Sequence, residues 1–552
     1  MIYRIESKTW LPVILVLAFL VRLPGLNYAL PLQVVGDEAT SIFGALKMME
    51  LKTLLPVLHL DEFKPLLYYP PYLSYLYLPF FGLFLSFKFL FFGGNLEEFK
   101  TLLIADPSAL FLMARLLSAI FGVLTVWLVY KIGKNIFKSE APALLSAGFL
   151  ALSFLHVNFS HWARHWIPAT FFFALVFYFL SREDFSPRRK YLWALAIAGL
   201  GAGINYQVAL AAFFIVLWFL FYDRLSLRAH LKASWVYLGA ILFLGLAFLP
   251  FLLYPPGLVV SAESALSSAH AFAGFIGAYV FYLVKLLETE PVLLLFFVVG
   301  MVYLFRDQRG YFGAAGGFVL LYVAVFYFFF FIVERYILML YPILALGAGW
   351  GLYRLYLSSA PKFKPAVLAL GALSFLFMLA VSLRLDFILL KNDTRLEAIR
   401  WVKINVPERS KVVVLASLTH LPTLPAALAE QEKIDPGSLR KRDLAELRLP
   451  DKFLFSGRYH ALNLYAANSR DFFGGIGDYL RTNKYEYAVF SPEFARLRGA
   501  GAYFDAAGSR LETFKGFAGG DDDLTNGFGG GLGKIFALEQ NGPEMVISRL
   551  DP

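Results

Sequence analysis

Long apolar segments separated by short polar ones dominate the first 390 residues of the chain. A helix that crosses the hydrocarbon core of a membrane needs about 20 mainly apolar residues. Eleven segments of this kind can be read from the sequence, near residues 10–29, 109–130, 141–159, 166–181, 190–205, 207–222, 234–254, 290–305, 311–332, 336–356 and 365–386. The pattern therefore predicts a polytopic α-helical membrane protein with about 11 transmembrane helices.

Two of the loops between these segments are long, and they cover residues 30–108 and 255–290. The first is not simply polar, because Tyr68–Tyr72 and Phe80–Phe92 are aromatic and apolar. Stretches of this kind are typical of amphipathic or re-entrant helices at the membrane interface, where tyrosine is common. We therefore expect the first loop to lie partly in the interface.

The pattern changes after residue 390. Residues 391–552 hold 22 Lys/Arg and 21 Asp/Glu, against 28 and 19 in the longer part that precedes them, and this density is typical of a soluble domain. Lys411–Ser417 and Tyr485–Ser491 have the character of buried strands, and Arg395–Asn405 that of a helix. We predict a small α/β domain here, with a solvated glycine-rich loop over Gly519–Gly533.

Composition excludes a soluble enzyme. Hydrophobic residues make up 59% of the 552 residues and charged residues only 16%, with a mean hydropathy of +0.63. Soluble domains have about 45–50% apolar and about 25% charged residues. The sequence has no cysteine, so disulfides, thiolate metal sites and cysteine nucleophiles are excluded as well.

The net charge of +10 indicates topology rather than binding to nucleic acid. If the N-terminus is cytoplasmic, the inner segments carry 17 Lys/Arg and six Asp/Glu. This excess agrees with the preference of cytoplasmic loops for positive charge. We therefore predict a multi-pass protein of the plasma (inner) membrane with a cytoplasmic N-terminus. An odd number of spans then places residues 391–552 and both long loops on the outer side.

Ionisable side chains at or in a membrane are costly, so each is a candidate for a functional site. On the predicted outer side they form four groups: Asp37 and Glu38; Glu62 and Lys64; His161, Arg164 and His165; and Glu334, Arg335 and Tyr336. Each group also has an ordinary interpretation. Acids suit the first turn of a helix, mixed charges suit a solvated turn, and arginines reach lipid headgroups or form ion pairs. The two histidines have no third metal ligand nearby in the sequence, which disfavours a metal site.

Short motifs at these positions resemble the glycosyltransferase C superfamily, and most closely its branch of protein O-mannosyltransferases and lipid A aminoarabinose transferases (glycosyltransferase family 39-like). The resemblance covers roughly residues 1–415 and departs from the pattern at Leu66, where a second proline is usual. The motifs are Arg22–Leu26, Gly36–Ala39, Phe63–Tyr69, Phe159–Arg164, Glu334–Tyr336, Tyr341–Pro342 and Asp393–Arg395.

The resemblance implies a glycosyltransferase module over residues 1–390 and an extracytoplasmic domain over residues 391–552. The implied reaction moves a sugar from a polyprenyl-phosphate donor to an acceptor hydroxyl on the outer face of the membrane, with inversion. The acceptor is a protein, lipid or glycan, and the protein contacts the bilayer but no nucleic acid. The scheme requires no cofactor, although a divalent cation is possible.

By similarity, Asp37 is the catalytic base, and Glu38 orients the acceptor or supports the loop. A positioned carboxylate typically contributes about 10²–10⁴-fold to a reaction of this kind. The leaving lipid phosphate is assigned to Lys64, Arg164 and Arg335, because cations stabilise the charge that develops there. The supporting residues are Glu62, His161, His165, Glu334 and Tyr336.

Two other functions fit the same spans. A flippase or secondary transporter of lipid-linked sugars would place its charges near the membrane midplane in repeated halves, but the sequence shows no internal repeat. A non-catalytic scaffold would not need Asp37. An energy-coupled pump is disfavoured, because no Walker A or GxGxxG motif occurs.

Overall fold

The structure, a computed structural model, describes residues 7–550 except 65, 68, 225–232, 257–273, 330–331, 437, 440–442, 444–457, 468, 507 and 518–522. The helices within these residues are α1 (Ser7–Leu20), α2 (Gly36–Leu51), α3 (Leu60–Phe63), α4 (Tyr72–Leu90), α5 (Leu96–Ala105), α6 (Ser108–Phe137), α7 (Glu140–Ala151), α8 (Phe154–Ser160), α9 (Trp166–Ser181), α10 (Pro187–Ile204), α11 (Ala211–Leu217), α12 (Ser234–Leu253), α13 (Gly274–Thr289), α14 (Pro291–Asp307), α15 (Arg309–Phe329), α16 (Tyr341–Ser358), α17 (Lys364–Leu390), α18 (Thr394–Asn405), α19 (Pro425–Ile434), α20 (Arg470–Gly474), α21 (Ile476–Thr482), α22 (Pro492–Leu497), α23 (Gly501–Ala506) and α24 (Gly531–Ala537). Shorter turns of 3₁₀-helix occur at Pro56–His59, Tyr206–Leu210, Glu334–Leu340 and Pro361–Phe363, and a π-helical turn occurs at Trp218–Tyr222.

Each of the eleven predicted apolar segments contains helix, but their lengths differ. Within the described residues, six helical segments are long and apolar enough to span a membrane, or seven if the bent pair α7–α8 counts as one span. The axes of that pair differ by 58°. The six are Tyr72–Leu90, Ser108–Phe137, Ser234–Leu253, Arg309–Phe328, Glu334–Ser358 and Pro361–Asn405. The class of a mostly helical membrane protein is thus confirmed, and the number of eleven spans stays a prediction.

The two long loops also contain regular structure. Helix α4 lies in the first loop and has the length and hydropathy of a span, whereas the sequence predicts an interfacial segment there. In the second loop, α13 occupies the last 16 residues before Glu290, and residues 257–273 lie outside the described part of the chain. Helix is thus present in both loops, and in the first it has the length of a span.

The first predicted span ends earlier than its apolar residues suggest. Helix α1 ends at Leu20, and residues 21–32 form turns. Pro24 cannot donate a backbone hydrogen bond, and Gly25 has a φ of 79°, which favours glycine. A Cβ atom at Gly25 would also collide with Leu389 of α17. These two residues turn the chain towards the site described below.

Residues 411–549 contain a five-stranded sheet, so the predicted α/β class is confirmed for this region. Its strands are β1 (Lys411–Leu415), β2 (His460–Asn463), β3 (Tyr487–Phe490), β4 (Ser509–Phe514) and β5 (Met545–Arg549). Their order is β2-β1-β3-β5-β4, with β2, β1 and β3 parallel and the pairs β3–β5 and β5–β4 antiparallel. Side chains along each strand alternate between two cores, because successive side chains of a strand point to opposite faces of the sheet.

One face of this sheet shares its core with the helices of residues 7–390. Val412, Val414 and Ile547 belong to the same buried cluster as side chains of α6, α9 and α16. Val413 and Leu462, on the other face, belong to a separate small core. The described residues of the region 391–552 (called the C-terminal domain below, after its predicted bounds) are therefore packed against the helical part, and burial fixes their position.

A polar network joins the two parts at the start of α18. Asp393 accepts hydrogen bonds from Arg395 at 2.7 Å and from the hydroxyl of Tyr28 at 2.6 Å. The amide of Asn541 donates to the same hydroxyl at 3.0 Å. Tyr28 belongs to the turns after α1, so the C-terminal domain is held directly against the segment that leads to Asp37.

Candidate active site

Asp37 and Glu38 lie in the first turn of α2, as the sequence predicts. Val35 precedes the helix in an extended conformation and supplies no side-chain cap. Acidic side chains at this end compensate for the free backbone N–H groups and for the positive end of the helix dipole. The two side chains nevertheless point to different surroundings.

Glu38 is fully buried and paired with Arg115 of α6. Its two carboxylate oxygens accept hydrogen bonds from Arg115 Nε at 2.9 Å and Nη2 at 2.7 Å, and the N–H of Ala163 donates to it at 2.7 Å. Arg115 also donates to the carbonyls of Leu26 and Tyr28, both at 2.9 Å. This burial and these contacts favour the second of the two predicted roles of Glu38, support of the loop, over a direct role in catalysis.

Asp37 faces the opposite way and is 37% exposed. Its carboxylate forms an ion pair with Arg164, which lies in the turn between α8 and α9. Burial favours a higher pKa for Asp37, but the positive charges of Arg164 and Arg335 outweigh burial and lower it. Asp37 is therefore an ionised, reachable carboxylate beside two arginines.

Arg164 and Arg335 meet at a loop of the C-terminal domain. Arg164 donates to the carbonyl of Thr525 at 3.0 Å, and Arg335 donates to the carbonyl of Asn526 at 3.1 Å. The guanidinium of Arg335 also lies over the ring of Trp166, 5.7 Å from its centroid. The buried Nε–H of each arginine has no acceptor among the described residues. Such donors favour an anionic ligand with several oxygens.

His165 and Tyr69 complete the wall near Asp37. Their rings meet edge to face, with centroids 4.7 Å apart. Burial and the charge of Arg164 lower the pKa of His165 to about 3, so this imidazole stays neutral near pH 7. Burial and the charge of Asp37 raise the pKa of Tyr69 to about 12. Both rings are therefore neutral groups beside a charged cluster.

A cavity of about 490 Å³ opens between the helical part and the C-terminal domain. One wall carries Asp37 and Arg164. The other carries Ser417 and Ser491, which follow the parallel strands β1 and β3. Ligands commonly bind at the carboxyl ends of parallel strands. The remaining lining residues are Val34, Gly36, Arg395, Leu418, Glu493, Phe494, Leu497, Phe517, Asp523, Asn526 and Pro543.

Three predicted site residues lie away from this cluster. Lys64 is 57% exposed and lies 3.5 Å from Asp61, and Glu62 pairs with Lys47 at 3.2 Å. His161 is fully buried: its Nδ1 bonds to the carbonyl of Val157, and its Nε2 lies 3.6 Å from a carboxylate oxygen of Asp386. None of their described contacts reaches Asp37. Their assignment to the site is therefore not supported by the geometry.

Glu334 and Tyr336 flank Arg335 on a short 3₁₀-helix. The ring of Tyr336 packs against Trp166, with centroids 5.1 Å apart, and so shapes the floor below the guanidinium of Arg335. The carboxylate of Glu334 lies against Gly527, where a Cβ atom would collide with it. The φ of 145° at Gly527 also favours glycine. Both residues thus lie beside Arg335, and their supporting role stays a prediction.

The sequence does not predict two features of the site. Arg115 lies within an apolar span, where an arginine signals a buried partner, yet the sequence alone does not identify that partner. The loop Asp523–Phe528 is not solvated: Leu524 and Phe528 are buried, and Asn158 Nδ2 donates to the carbonyl of Leu524 at 2.9 Å. The prediction of a solvated loop is wrong for this part, and Asp521 and Asp522 lie outside the described residues.

Metal binding has no geometric support within the described part of the chain. No group of three or more His, Cys, Asp or Glu side chains there is arranged to hold a metal ion. His161 and His165 lie in different surroundings, one beside Asp386 and the other beside Tyr69.

A family model supports the resemblance found in the motifs. The model of dolichyl-phosphate-mannose-protein mannosyltransferases matches residues 103–254, which include Arg115 and Arg164. The predicted resemblance to the glycosyltransferase C superfamily is confirmed. The chain is a multi-pass membrane protein that resembles glycosyltransferases of this class. Among curated proteins, no sequence matches the chain.

Several solved structures are similar to the chain. The oligosaccharyltransferase AglB from Archaeoglobus fulgidus, in complex with an inhibitory peptide and a dolichol-phosphate, is 13% identical, with a TM-score of 0.47 over 92% of this chain and 73% of AglB. ArnT from Cupriavidus metallidurans, bound to undecaprenyl phosphate, is 13% identical, with a TM-score of 0.46 over 98% and 97%. The arabinofuranosyltransferase AftD from Mycobacteria is 14% identical, with a TM-score of 0.43 over 99% and 40%.

Proposed function

We propose that the protein transfers a sugar from a polyprenyl-phosphate donor to an acceptor hydroxyl, with Asp37 as the general base. One observation carries the proposal. A reachable, ionised carboxylate lies beside two arginines, and each arginine has a buried N–H without an acceptor among the described residues. Arg164 and Arg335 suit a phosphate, and Asp37 suits the hydroxyl that attacks beside it.

In the proposed reaction, Asp37 accepts the proton of the acceptor hydroxyl while the hydroxyl oxygen forms a bond to the anomeric carbon. The bond from that carbon to the phosphate oxygen breaks, and the lipid phosphate leaves with the electron pair. Arg164 and Arg335 stabilise the negative charge on the leaving phosphate. A single displacement of this kind inverts the anomeric configuration. The scheme needs no metal step.

The cavity supports separate approaches for the two substrates. The donor phosphate binds on the side of Arg164 and Arg335, next to the apolar helices that accommodate its lipid tail. The acceptor approaches along the wall of the C-terminal domain, past Ser417 and Ser491. The charge of the short loops supports a cytoplasmic N-terminus, with this cavity and the C-terminal domain on the extracytoplasmic side of the plasma membrane.

Replacing the proposed base tests the function directly. We expect Asp37→Asn to reduce sugar transfer by about 10²–10⁴-fold, because the amide keeps the shape of the side chain but cannot accept the proton. The assay is transfer from a radiolabelled polyprenyl-phosphate sugar to an extract containing glycan, lipid and protein acceptors. Donor binding should remain close to that of the unmodified protein, and the melting temperature should fall only moderately, because the amide oxygen can still accept a hydrogen bond from Arg164.

Asp61→Asn provides the matched control, because Asp61 is a fully exposed carboxylate in the same loop. This variant should retain transfer. Full activity of Asp37→Asn would remove Asp37 as the base. Equal losses in both variants would show that the assay reports general damage to the loop.

A further inference from the structure

The Asp523–Phe528 loop (the arginine-contacting loop) joins the C-terminal domain to the arginines of the proposed donor site. Its backbone carbonyls at Thr525 and Asn526 accept hydrogen bonds from Arg164 and Arg335, respectively. These arginines belong to separate segments of the helical part, between α8 and α9 and before α16. The loop therefore holds the two positively charged guanidinium groups of Arg164 and Arg335 next to each other.

The loop is held from inside by Asp523. One carboxylate oxygen of Asp523 accepts a hydrogen bond from the backbone N–H of Thr525 at 2.9 Å, and the other accepts one from the side-chain amide of Asn526 at 3.0 Å. The hydroxyl of Thr525 also donates to this carboxylate at 2.9 Å. Such a turn fixes the direction of the carbonyl groups of Thr525 and Asn526.

The loop is also held from outside by apolar contacts with the helical part. Leu524 and Phe528 are buried, and the ring of Phe528 packs edge to face on Phe154 of α8, with centroids 5.9 Å apart. The side-chain amide of Asn158 in α8 donates to the carbonyl of Leu524. These contacts lie on both sides of Thr525 and Asn526, so the arginine contacts are part of a packed structure.

We propose that this loop is a fixed wall of the donor-phosphate site and that Asp523 is its positioning residue. Through the turn, Asp523 directs the carbonyls that hold Arg164 and Arg335, which leaves the Nε–H groups of both arginines available for phosphate oxygens. The inference rests on the proposed function, and it assigns part of donor binding to the C-terminal domain. A loop that instead occupied the place of the phosphate would have to leave before the donor could bind.

Binding of undecaprenyl phosphate to the purified full-length protein separates these two arrangements. A fixed wall predicts that Asp523→Ala weakens binding by about tenfold, because both arginines lose their alignment. Asp523→Asn should bind within about threefold of the unmodified protein, because its amide oxygen can still accept the N–H of Thr525. Asp505→Ala, at an exposed acid of the same domain, is the matched control and should bind normally.

Each outcome decides one question. Unchanged or tighter binding by Asp523→Ala overturns the fixed wall, and so does an equally large loss in Asp523→Asn. If the unmodified protein binds no undecaprenyl phosphate, the proposed function itself fails. Should Asp523→Ala not fold, as judged by its melting curve, Thr525→Val takes its place with a smaller loss in the same direction, because it removes the hydroxyl that donates to Asp523.

Discussion

The two sides of the first turn of α2 have different physical environments, although their acids are consecutive in the sequence. On one side, Glu38 is fully buried, and Arg115 and the N–H of Ala163 satisfy its oxygens. On the other, Asp37 is partly exposed in a cavity and shares its arginine with a loop of the C-terminal domain. Burial and hydrogen bonding, rather than residue type, therefore separate a structural carboxylate from the carboxylate proposed as the base.

From this difference in environment, we expect replacement of the two acids to have different effects on activity and stability. Asp37→Asn should lose transfer with a smaller loss of stability, because Asp37 is partly exposed, whereas Glu38→Gln should lose stability first. Removing the charge of Glu38 leaves Arg115 buried without an opposite charge, which typically costs about 3–5 kcal/mol. The melting temperature of the purified protein in one detergent measures this difference.

The result for Glu38→Gln can contradict the comparison. A variant that melts like the unmodified protein but transfers no sugar would place Glu38 in the chemistry and not in the support of the loop. Glu62→Gln is a suitable control, because Glu62 is 57% exposed and should tolerate the change.

The phosphate assignment can be sharpened with Arg335 and Lys64. Arg335→Ala should weaken binding of undecaprenyl phosphate about 10- to 100-fold, as expected for the loss of a charge-assisted hydrogen bond to a buried phosphate. Lys64→Ala should change binding little, because Lys64 is exposed and lies beside Asp61. The reverse order of effects would restore Lys64 to the site and remove Arg335 from it.

The pH dependence of transfer gives the smallest expected effect. The pKa of Asp37 is lowered, so its carboxylate stays ionised at every pH at or above the usual range of carboxyl pKa values. Activity should therefore fall only when the pH drops below that range. His165, with its pKa lowered to about 3, stays neutral over the same interval. With saturating substrates, we expect a nearly flat rate from about pH 5 to about pH 8. A decline centred near pH 6.5, absent in His165→Gln, would show that His165 titrates in the reaction.

Local patterns in the sequence predict much of this molecule. Apolar segments identify the helices of residues 1–390, because each span needs a continuous run of apolar residues. The runs of residues 411–417 and 485–491 identify β1 and β3. Asp37 is recognised by its motif, and Arg164 by a second motif on the same predicted side of the membrane.

Local sequence patterns do not predict the contacts between residues that lie far apart in the chain. Glu38 and Arg115 are 77 residues apart, and Arg164 and Thr525 are 361 apart, so no local pattern pairs them. The glycine-rich composition near Asp523 resembles that of a solvated loop, and only the packing of Leu524 and Phe528 reveals its burial. The motif assigns Lys64 to the site, but the position of Lys64 depends on the fold of the whole first loop.

Asp37, Arg164 and Arg335 are proposed to share one site with the lipid phosphate. A cryo-EM density map of the full-length protein with bound undecaprenyl phosphate tests this proposal most directly. We expect the phosphate oxygens within hydrogen-bond distance of the Arg164 and Arg335 guanidinium groups, with Asp37 beside them and the arginine-contacting loop in place. A phosphate bound beside Lys64, or anywhere that does not contact Arg164 and Arg335, would contradict the account.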